Sequence, residues 1–159
     1  MRIYIISVGK MREPYLKDGI DEYARRLKPY TSLRMLEIPD ERAPPGISAR
    51  QKEEIRKKEG NYLGKAIPAG AFVIALHPVG KGLSSEEFAD QIRTWEIEGP
   101  HTIAFLVGGE LGLSEDVISA SDYTLSLSQM TFPHQMARLM LLEALYRAFR
   151  HLRGEPYCR

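Results

Sequence analysis

The sequence has very little cysteine and no long apolar stretch. Cys158 is the single cysteine among 159 residues, so no disulfide can form within the chain. The longest apolar runs, residues 71–76 and 139–142, are far too short to cross a bilayer, and the first residues lack the layout of a signal peptide. These absences argue against a membrane partner and predict a cytoplasmic protein.

Motifs that mark several enzyme classes are also missing. The four histidines are scattered and there is no H-x-x-x-H or C-x-x-C pair, so the sequence predicts no metal site. No G-x-S-x-G sequence is present, which argues against a serine hydrolase. Net charge is only +1, too small for a protein that holds nucleic acid by bulk electrostatics, and we expect no DNA partner.

The residues that are present indicate one α/β domain over residues 1–159. Hydrophobic residues make up 43% and charged residues 27%, which is ordinary for a globular protein. Apolar, β-branched runs alternate with segments of helical periodicity, and serines precede several of the helices. This order predicts a parallel sheet covered by helices on both faces. The predicted strands are 2–8, 33–38, 71–76, 102–107 and 123–127, and the predicted helices are 14–27, 48–65, 84–95, 114–120 and 136–152.

Three of the predicted strands end in loops of unusual composition, those after Leu76, Val107 and Leu127. Ligands of open α/β sheets bind beyond the carboxyl ends of the strands, so these loops are candidate binding segments. Residues 108–112 (GGELG) fit either a tight turn or a close backbone approach to a ligand. Residues 128–135 (SQMTFPHQ) fit either core plugs or the walls of a pocket for adenosine.

The last predicted helix carries two further features. His134 and Arg138 are one helical turn apart, so they can share a face and contact an anion or RNA together, although a plain surface pair fits equally well. A structural histidine is the more common alternative to a catalytic one. The helix is apolar around much of its circumference, which indicates a core helix that also forms a dimer interface.

Four segments together resemble the ribosomal RNA large-subunit methyltransferase H family. They are residues 3–10 (IYIISVGK), 106–113 (LVGGELGL), 130–138 (MTFPHQMAR) and 143–148 (EALYRA). The likeness covers the whole chain. It implies a SPOUT-type fold with a C-terminal trefoil knot, which general rules of chain topology would not predict. It also implies a homodimer that transfers a methyl group from S-adenosyl-L-methionine to N3 of a pseudouridine in 23S ribosomal RNA within the assembled ribosome.

The resemblance also assigns roles to individual residues. The S-adenosylmethionine pocket maps to eight positions: Leu76, Gly108, Leu127, Ser128, Gln129, Met130, Thr131 and Phe132. For the proton of N3, Arg138 is the candidate cation that stabilises the anion, with His134 and Tyr157 as alternatives. The family's tail has histidine after its tyrosine, where this chain has Cys158. Two rival hypotheses are a nucleotide-binding α/β module and a ribosome-binding assembly factor, neither of which transfers a methyl group.

Overall fold

The computed structural model describes residues 1–156, and in this part of the chain five strands alternate with five helices. In chain order the elements are β1 (Arg2–Val8), α1 (Pro14–Leu27), β2 (Ser32–Ile38), α2 (Ala49–Ala66), β3 (Phe72–Gly82), α3 (Ser85–Ile97), β4 (Thr102–Val107), α4 (Glu115–Ala120), β5 (Tyr123–Ser126) and α5 (His134–Leu152).

Local signals at helix starts act as the sequence predicts. Ser84 accepts a hydrogen bond from the backbone N–H of Glu87, and the Glu87 carboxylate accepts one from the backbone N–H of Ser84. Ser48 caps α2 through the equivalent pair of bonds with Gln51. Ser114 accepts from the backbone of Val117 at the start of α4. Each cap satisfies amides that the first helical turn leaves without a partner, and this fixes where these helices begin.

The strands form one parallel sheet in the order β2-β1-β4-β3-β5. Buried apolar residues of α1, α3 and α5 pack on one face, and Leu63 of α2 with the partly buried Val117 and Ile118 of α4 packs on the other. The predicted α/β fold, with helices on both faces of a parallel sheet, is therefore confirmed. Because every strand runs the same way, the loops after all five strands lie at one edge of the sheet.

The structure corrects two predicted boundaries. Residues 77–82 were expected to form a loop, but β3 continues to Gly82 and pairs again with β5 after a register shift between Leu76 and Lys81. Helix α5 begins at His134, two residues before the predicted start, because Pro133 supplies a preset φ angle immediately before it. We refer to the register shift in β3, a bulge-like irregularity, as the bulge of β3; interruptions of this kind re-aim side chains at the end of a strand.

The helices bear on two further expectations, the absence of a membrane span and the dimer interface on α5. None of the helices within residues 1–156 is both long and apolar enough to span a bilayer. In α5, Leu141, Leu142, Leu145, Ala148 and Phe149 are buried, which accounts for one side of its apolar surface. The trefoil knot and the dimer interface stay predictions.

Candidate active site

A cavity of about 440 Å³ opens at the carboxyl ends of β3, β4 and β5. Its walls come from the bulge of β3, the loop after β4 and the segment between β5 and α5. The volume suits a small-molecule ligand, and the location is where open α/β sheets place their ligands. We refer to this cavity as the strand-end pocket.

Seven of the eight residues predicted to hold the cofactor line the strand-end pocket. They are Leu76, Gly108, Leu127, Ser128, Met130, Thr131 and Phe132. The eighth, Gln129, is exposed and is not among the lining residues. Three segments separated by up to 56 positions in the sequence are thus brought to one cavity by the parallel order of the strands.

The loop after β4 forms a tight turn that only glycine fits at its first position. A β-carbon at Gly108 would lie 2.6 Å from the carbonyl carbon of Gly112 and 2.8 Å from the nitrogen of Leu113. The turn closes with a hydrogen bond from the N–H of Gly112 to the carbonyl of Gly109, and Gly112 has a φ of 78°. The two interpretations of this loop are therefore compatible: a tight turn presents its backbone to the pocket.

The segment between β5 and α5 is held by its own serines. The Ser126 hydroxyl donates to the carbonyl of Ser128, and the Ser128 hydroxyl accepts from the backbone N–H of Met130. Met130 is 71% exposed although it lines the pocket. Its side chain therefore offers apolar surface at the pocket rather than plugging the core.

A smaller cleft of about 100 Å³ lies beside the strand-end pocket, at the ends of β1, β2 and β4. We refer to it as the second cleft. The two cavities share Gly109, Glu110 and His134 as lining residues. The second cleft is strongly polar, since Lys10, Arg12, Asp40, Glu41 and Glu59 complete its charged lining.

His134 occupies the wall between the two cavities. Burial lowers the pKa of its imidazole below the usual value, and the positive charge of Arg138 lowers the pKa further. Both effects favour the neutral form of the side chain. A neutral imidazole has one N–H donor and one acceptor nitrogen, so it can hold an uncharged base without adding a charge to the site.

Arg138 lies inside the protein, with only 1% of its surface exposed. Its Nη2 donates to the carbonyl oxygens of Val8 at 2.6 Å and Gly9 at 2.8 Å, and its Nη1 contacts Glu37 Oε2 at 3.2 Å. At 1% exposure Arg138 faces the interior of the single chain, so this geometry does not favour the predicted direct contact with an anion or RNA, which stays a prediction. His134 and Arg138 are one helical turn apart, as their spacing predicts. His134 lines the two cavities, whereas the Arg138 side chain is buried in the protein interior.

The bonds of Arg138 have a structural consequence for the second cleft. Val8 and Gly9 line this cleft and belong to the end of β1, whereas Arg138 belongs to α5. Gln135, also on α5, accepts a hydrogen bond from the backbone N–H of Arg12. Arg138 and Gln135 therefore fix the loop after β1 to the helix that carries His134, and we assign Arg138 a positioning role.

Glu59 is a buried residue of the second cleft that its sequence context does not single out. It is 4% exposed and lines the second cleft from α2. In the sequence it lies within the charge-rich segment 52–59, which indicates a solvated helix face. One signal was available: Ile55, Glu59 and Leu63 recur at intervals of four, so this carboxylate falls on the apolar stripe of its helix.

Two points remain, the position of Tyr157 and the search for groups that could bind a metal ion. Tyr157, the third catalytic candidate, lies outside the residues that the structure describes. Among residues 1–156, no group of three or more histidine, cysteine, aspartate or glutamate side chains is arranged to bind a metal ion.

Comparison with known proteins identifies the family. The sequence matches the family described as "Predicted SPOUT methyltransferase" over residues 1–158. Proteins named Ribosomal RNA large subunit methyltransferase H are similar to it over 99% of both chains. The one from Alkaliphilus oremlandii is 52% identical, and one from Clostridium botulinum is 53% identical.

Solved structures with much lower sequence identity share the fold. A protein from Legionella pneumophila, described as a methyltransferase with bound cofactor SAM, aligns with a TM-score of 0.51 and 14% identity. That alignment covers 93% of this chain and 66% of the other. A probable methyltransferase from Bordetella pertussis aligns with a TM-score of 0.53 and 14% identity, over 93% of this chain and 96% of the other. Full-length sequence similarity and a shared parallel α/β fold lead to one conclusion: this chain belongs to the SPOUT methyltransferase family.

Proposed function

We propose that this protein transfers a methyl group from S-adenosyl-L-methionine to N3 of a pseudouridine in 23S ribosomal RNA, acting on the assembled ribosome in the cytoplasm. The observation that carries the proposal is the strand-end pocket, which gathers seven predicted cofactor residues in one cavity. Relatives about 52% identical over the full chain, named as ribosomal RNA large subunit methyltransferases, support the choice of substrate.

The residues of the strand-end pocket fit an adenosyl group. Apolar residues such as Leu76, Leu127 and Phe132 can contact the adenine ring, and the tight turn at Gly108 brings polar backbone close to the cavity. When bound, S-adenosylmethionine supplies an electrophilic methyl group on a positively charged sulfur. The main task of the protein is then to align the target nitrogen with that methyl group, and such alignment lowers barriers by up to roughly 7–11 kcal/mol.

His134 is suited to hold the target base. Because burial favours the neutral imidazole, its N–H can donate to a carbonyl oxygen of the base, where negative charge grows as N3 loses its proton. Its place in the wall of the strand-end pocket puts it next to a cofactor bound there. His134, one of the alternatives to Arg138, is therefore our candidate for the group that stabilises the anion.

A labelling assay tests the proposed function. Purified ribosomes from cells without this modification are incubated with the protein and S-adenosylmethionine tritiated in its methyl group. We expect tritium in 23S ribosomal RNA of ribosomes and much less in free 23S RNA, because the mild net charge favours recognition of an assembled surface. Ribosome binding without any transfer of label would instead indicate an assembly factor.

We also propose a homodimer that uses α5, and the knot that the resemblance implies. On α5, Met136 and Met140 are only partly buried in the single chain and belong to neither hydrophobic core cluster. A partner that covers these side chains would remove more apolar surface from water. Sedimentation equilibrium at micromolar concentration should give twice the 18.1 kDa of one chain. A mass of 18.1 kDa at all concentrations would contradict the dimer.

Deletion of residues 157–159 should slow methylation of ribosomes while leaving cofactor affinity unchanged. The deleted segment contains Tyr157 and Arg159, which can stack on a base and pair with phosphate. Loss of one stacked base costs about 1–3 kcal/mol, or roughly a 5- to 150-fold lower kcat/KM for ribosomes. The matched variant Cys158→His should keep or raise activity. An unchanged methylation rate after deletion would show that RNA contacts lie elsewhere.

A further inference from the structure

We propose that the second cleft is the subsite for the target base, and that Glu59 accepts the proton which N3 of that base loses during methyl transfer. The inference rests on the proposed function and names a residue for a step that the function requires. Its first support is location. The second cleft and the strand-end pocket share Gly109, Glu110 and His134, so a base in the cleft lies beside the cofactor.

The carboxylate of Glu59 is held in place with one oxygen available. Its Oε2 accepts a hydrogen bond from the backbone N–H of Glu41 at 3.0 Å. Within residues 1–156 this is the one hydrogen bond to the carboxylate. Its Oε1 is directed toward the shared wall, at 3.5 Å from the position that a β-carbon on Gly109 would occupy. The fixed oxygen orients the group, and the other can accept a proton.

Glu59 differs from the other carboxylates of the cleft in its burial. Asp40 and Glu110 are exposed, and Glu41 already accepts a hydrogen bond from the Tyr62 hydroxyl at 3.1 Å. A buried carboxylate is less well solvated and is therefore a stronger proton acceptor than an exposed one. A glutamate at the apolar side of its helix, without a cationic partner within residues 1–156, would be a costly choice for stability alone.

Nearby negative charges also make Glu59 a stronger proton acceptor, because they raise its pKa. Burial is the main cause that raises its pKa above the usual value. The negative charges of Asp40, Glu41 and Glu110 raise the pKa further, and the hydrogen bond from the Glu41 amide opposes them. The other charged or titratable groups that face the cleft are Lys10 and Arg12 after β1, and His134 at the start of α5.

The proton transfer balances the charges of the reaction. The N3–H bond breaks and its proton forms a bond to Glu59 Oε1, while the electron pair left on N3 forms the bond to the methyl carbon. The carbon–sulfur bond breaks and its electron pair stays on sulfur, which becomes a neutral thioether. One negative and one positive charge are lost together, and the neutral Glu59 acid later releases its proton to water.

The test compares Glu59→Gln with the matched control Glu54→Gln, which removes an exposed carboxylate from the same helix. The carbonyl oxygen of a glutamine at this position can still accept the hydrogen bond from the backbone N–H of Glu41. For Glu59→Gln, we expect methylation of ribosomes under saturating cofactor to fall by about 10²–10⁴-fold. The rise of the rate with pH through the Glu59 pKa should vanish. Calorimetric affinity for S-adenosylmethionine should not change, and Glu54→Gln should match the wild type in every measurement.

Thermal unfolding gives a readout independent of activity. Because the folded state raises the pKa of Glu59, the ionised group destabilises the fold above that pKa, and this effect is lost as pH falls toward the unfolded value. The glutamine variant should therefore have an equal or higher Tm at neutral pH, and the difference should shrink as pH falls. A lower Tm at neutral pH together with an unchanged pH–rate profile would indicate a purely structural residue and overturn the inference.

The outcomes separate the two proposals. An inactive wild type would overturn the proposed function and this inference with it. An active wild type with an equally active Glu59→Gln variant would overturn the inference alone. If the glutamine variant does not fold, Glu59→Asp takes its place: a lower rate that keeps its dependence on pH supports the proposal, and an unchanged rate contradicts it.

Discussion

Gly108→Val should abolish most of the affinity for S-adenosylmethionine. A β-carbon at this position meets backbone atoms of Gly112 and Leu113 at 2.6–2.8 Å, and backbone cannot rotate away as a side chain would. The turn must therefore open. The turn lines the strand-end pocket, so opening it distorts the cofactor site. Overpacking of this kind costs about 1–3 kcal/mol. If binding must supply that energy, the Kd for S-adenosylmethionine becomes roughly 5- to 150-fold weaker.

Calorimetry well below the melting temperature measures this loss apart from unfolding. The strain should also lower the Tm, since part of it remains when no ligand is bound. The matched control is Gly64→Val, because a β-carbon at Gly64 meets nothing within 4 Å and Gly64 does not line the strand-end pocket. Normal binding by a folded Gly108→Val variant would place the cofactor site elsewhere.

Arg138→Met should lower the free energy of unfolding by about 2–4 kcal/mol. The substitution keeps the length of the side chain but removes the donors to the buried carbonyls of Val8 and Gly9. A hydrogen bond from a charged donor contributes about 1.5–3 kcal/mol, and a buried carbonyl left without a donor is penalised. The contact with Glu37 adds little because that carboxylate is 44% exposed.

Urea denaturation of Arg138→Met and Arg147→Met separates a positioning role from a general loss of charge on α5. Arg147 pairs with Glu143 one turn away at a partly exposed site, so its loss should cost only about 0.5 kcal/mol. Arg138→Met should also raise KM for ribosomes, because the loop that forms the second cleft is no longer fixed to α5. Equal effects of the two substitutions would contradict the positioning role.

Features set by neighbouring residues could be predicted from the sequence. The capping boxes at Ser48 and Ser84 depend on side chains three positions apart, so the helix starts they fix agree with the structure. The predicted ends of β1 and β4 also agree with the structure, because a glycine directly follows each apolar run. The cluster of three strand-end loops followed from the general rule for parallel sheets, whereas the individual cofactor residues came from the family resemblance.

Features set by contacts between distant segments could not be predicted. Proline and glycines in residues 77–82 indicate a loop, yet pairing of Lys81 and Gly82 with β5 extends the strand across a bulge. Arg138 has helical spacing from His134, but only the packed position of β1 shows that its guanidinium binds carbonyls inside the protein. Glu59 becomes distinct from its charged neighbours once burial is known.

Mass spectrometry of nucleosides from 23S ribosomal RNA tests the central claim most directly. Ribosomes without the modification are incubated with the protein and S-adenosylmethionine, and the RNA is then digested. We expect one new nucleoside, pseudouridine methylated at N3, which is absent when either protein or cofactor is left out. RNA without any new methyl group, or a methyl group on a different atom or base, would contradict it.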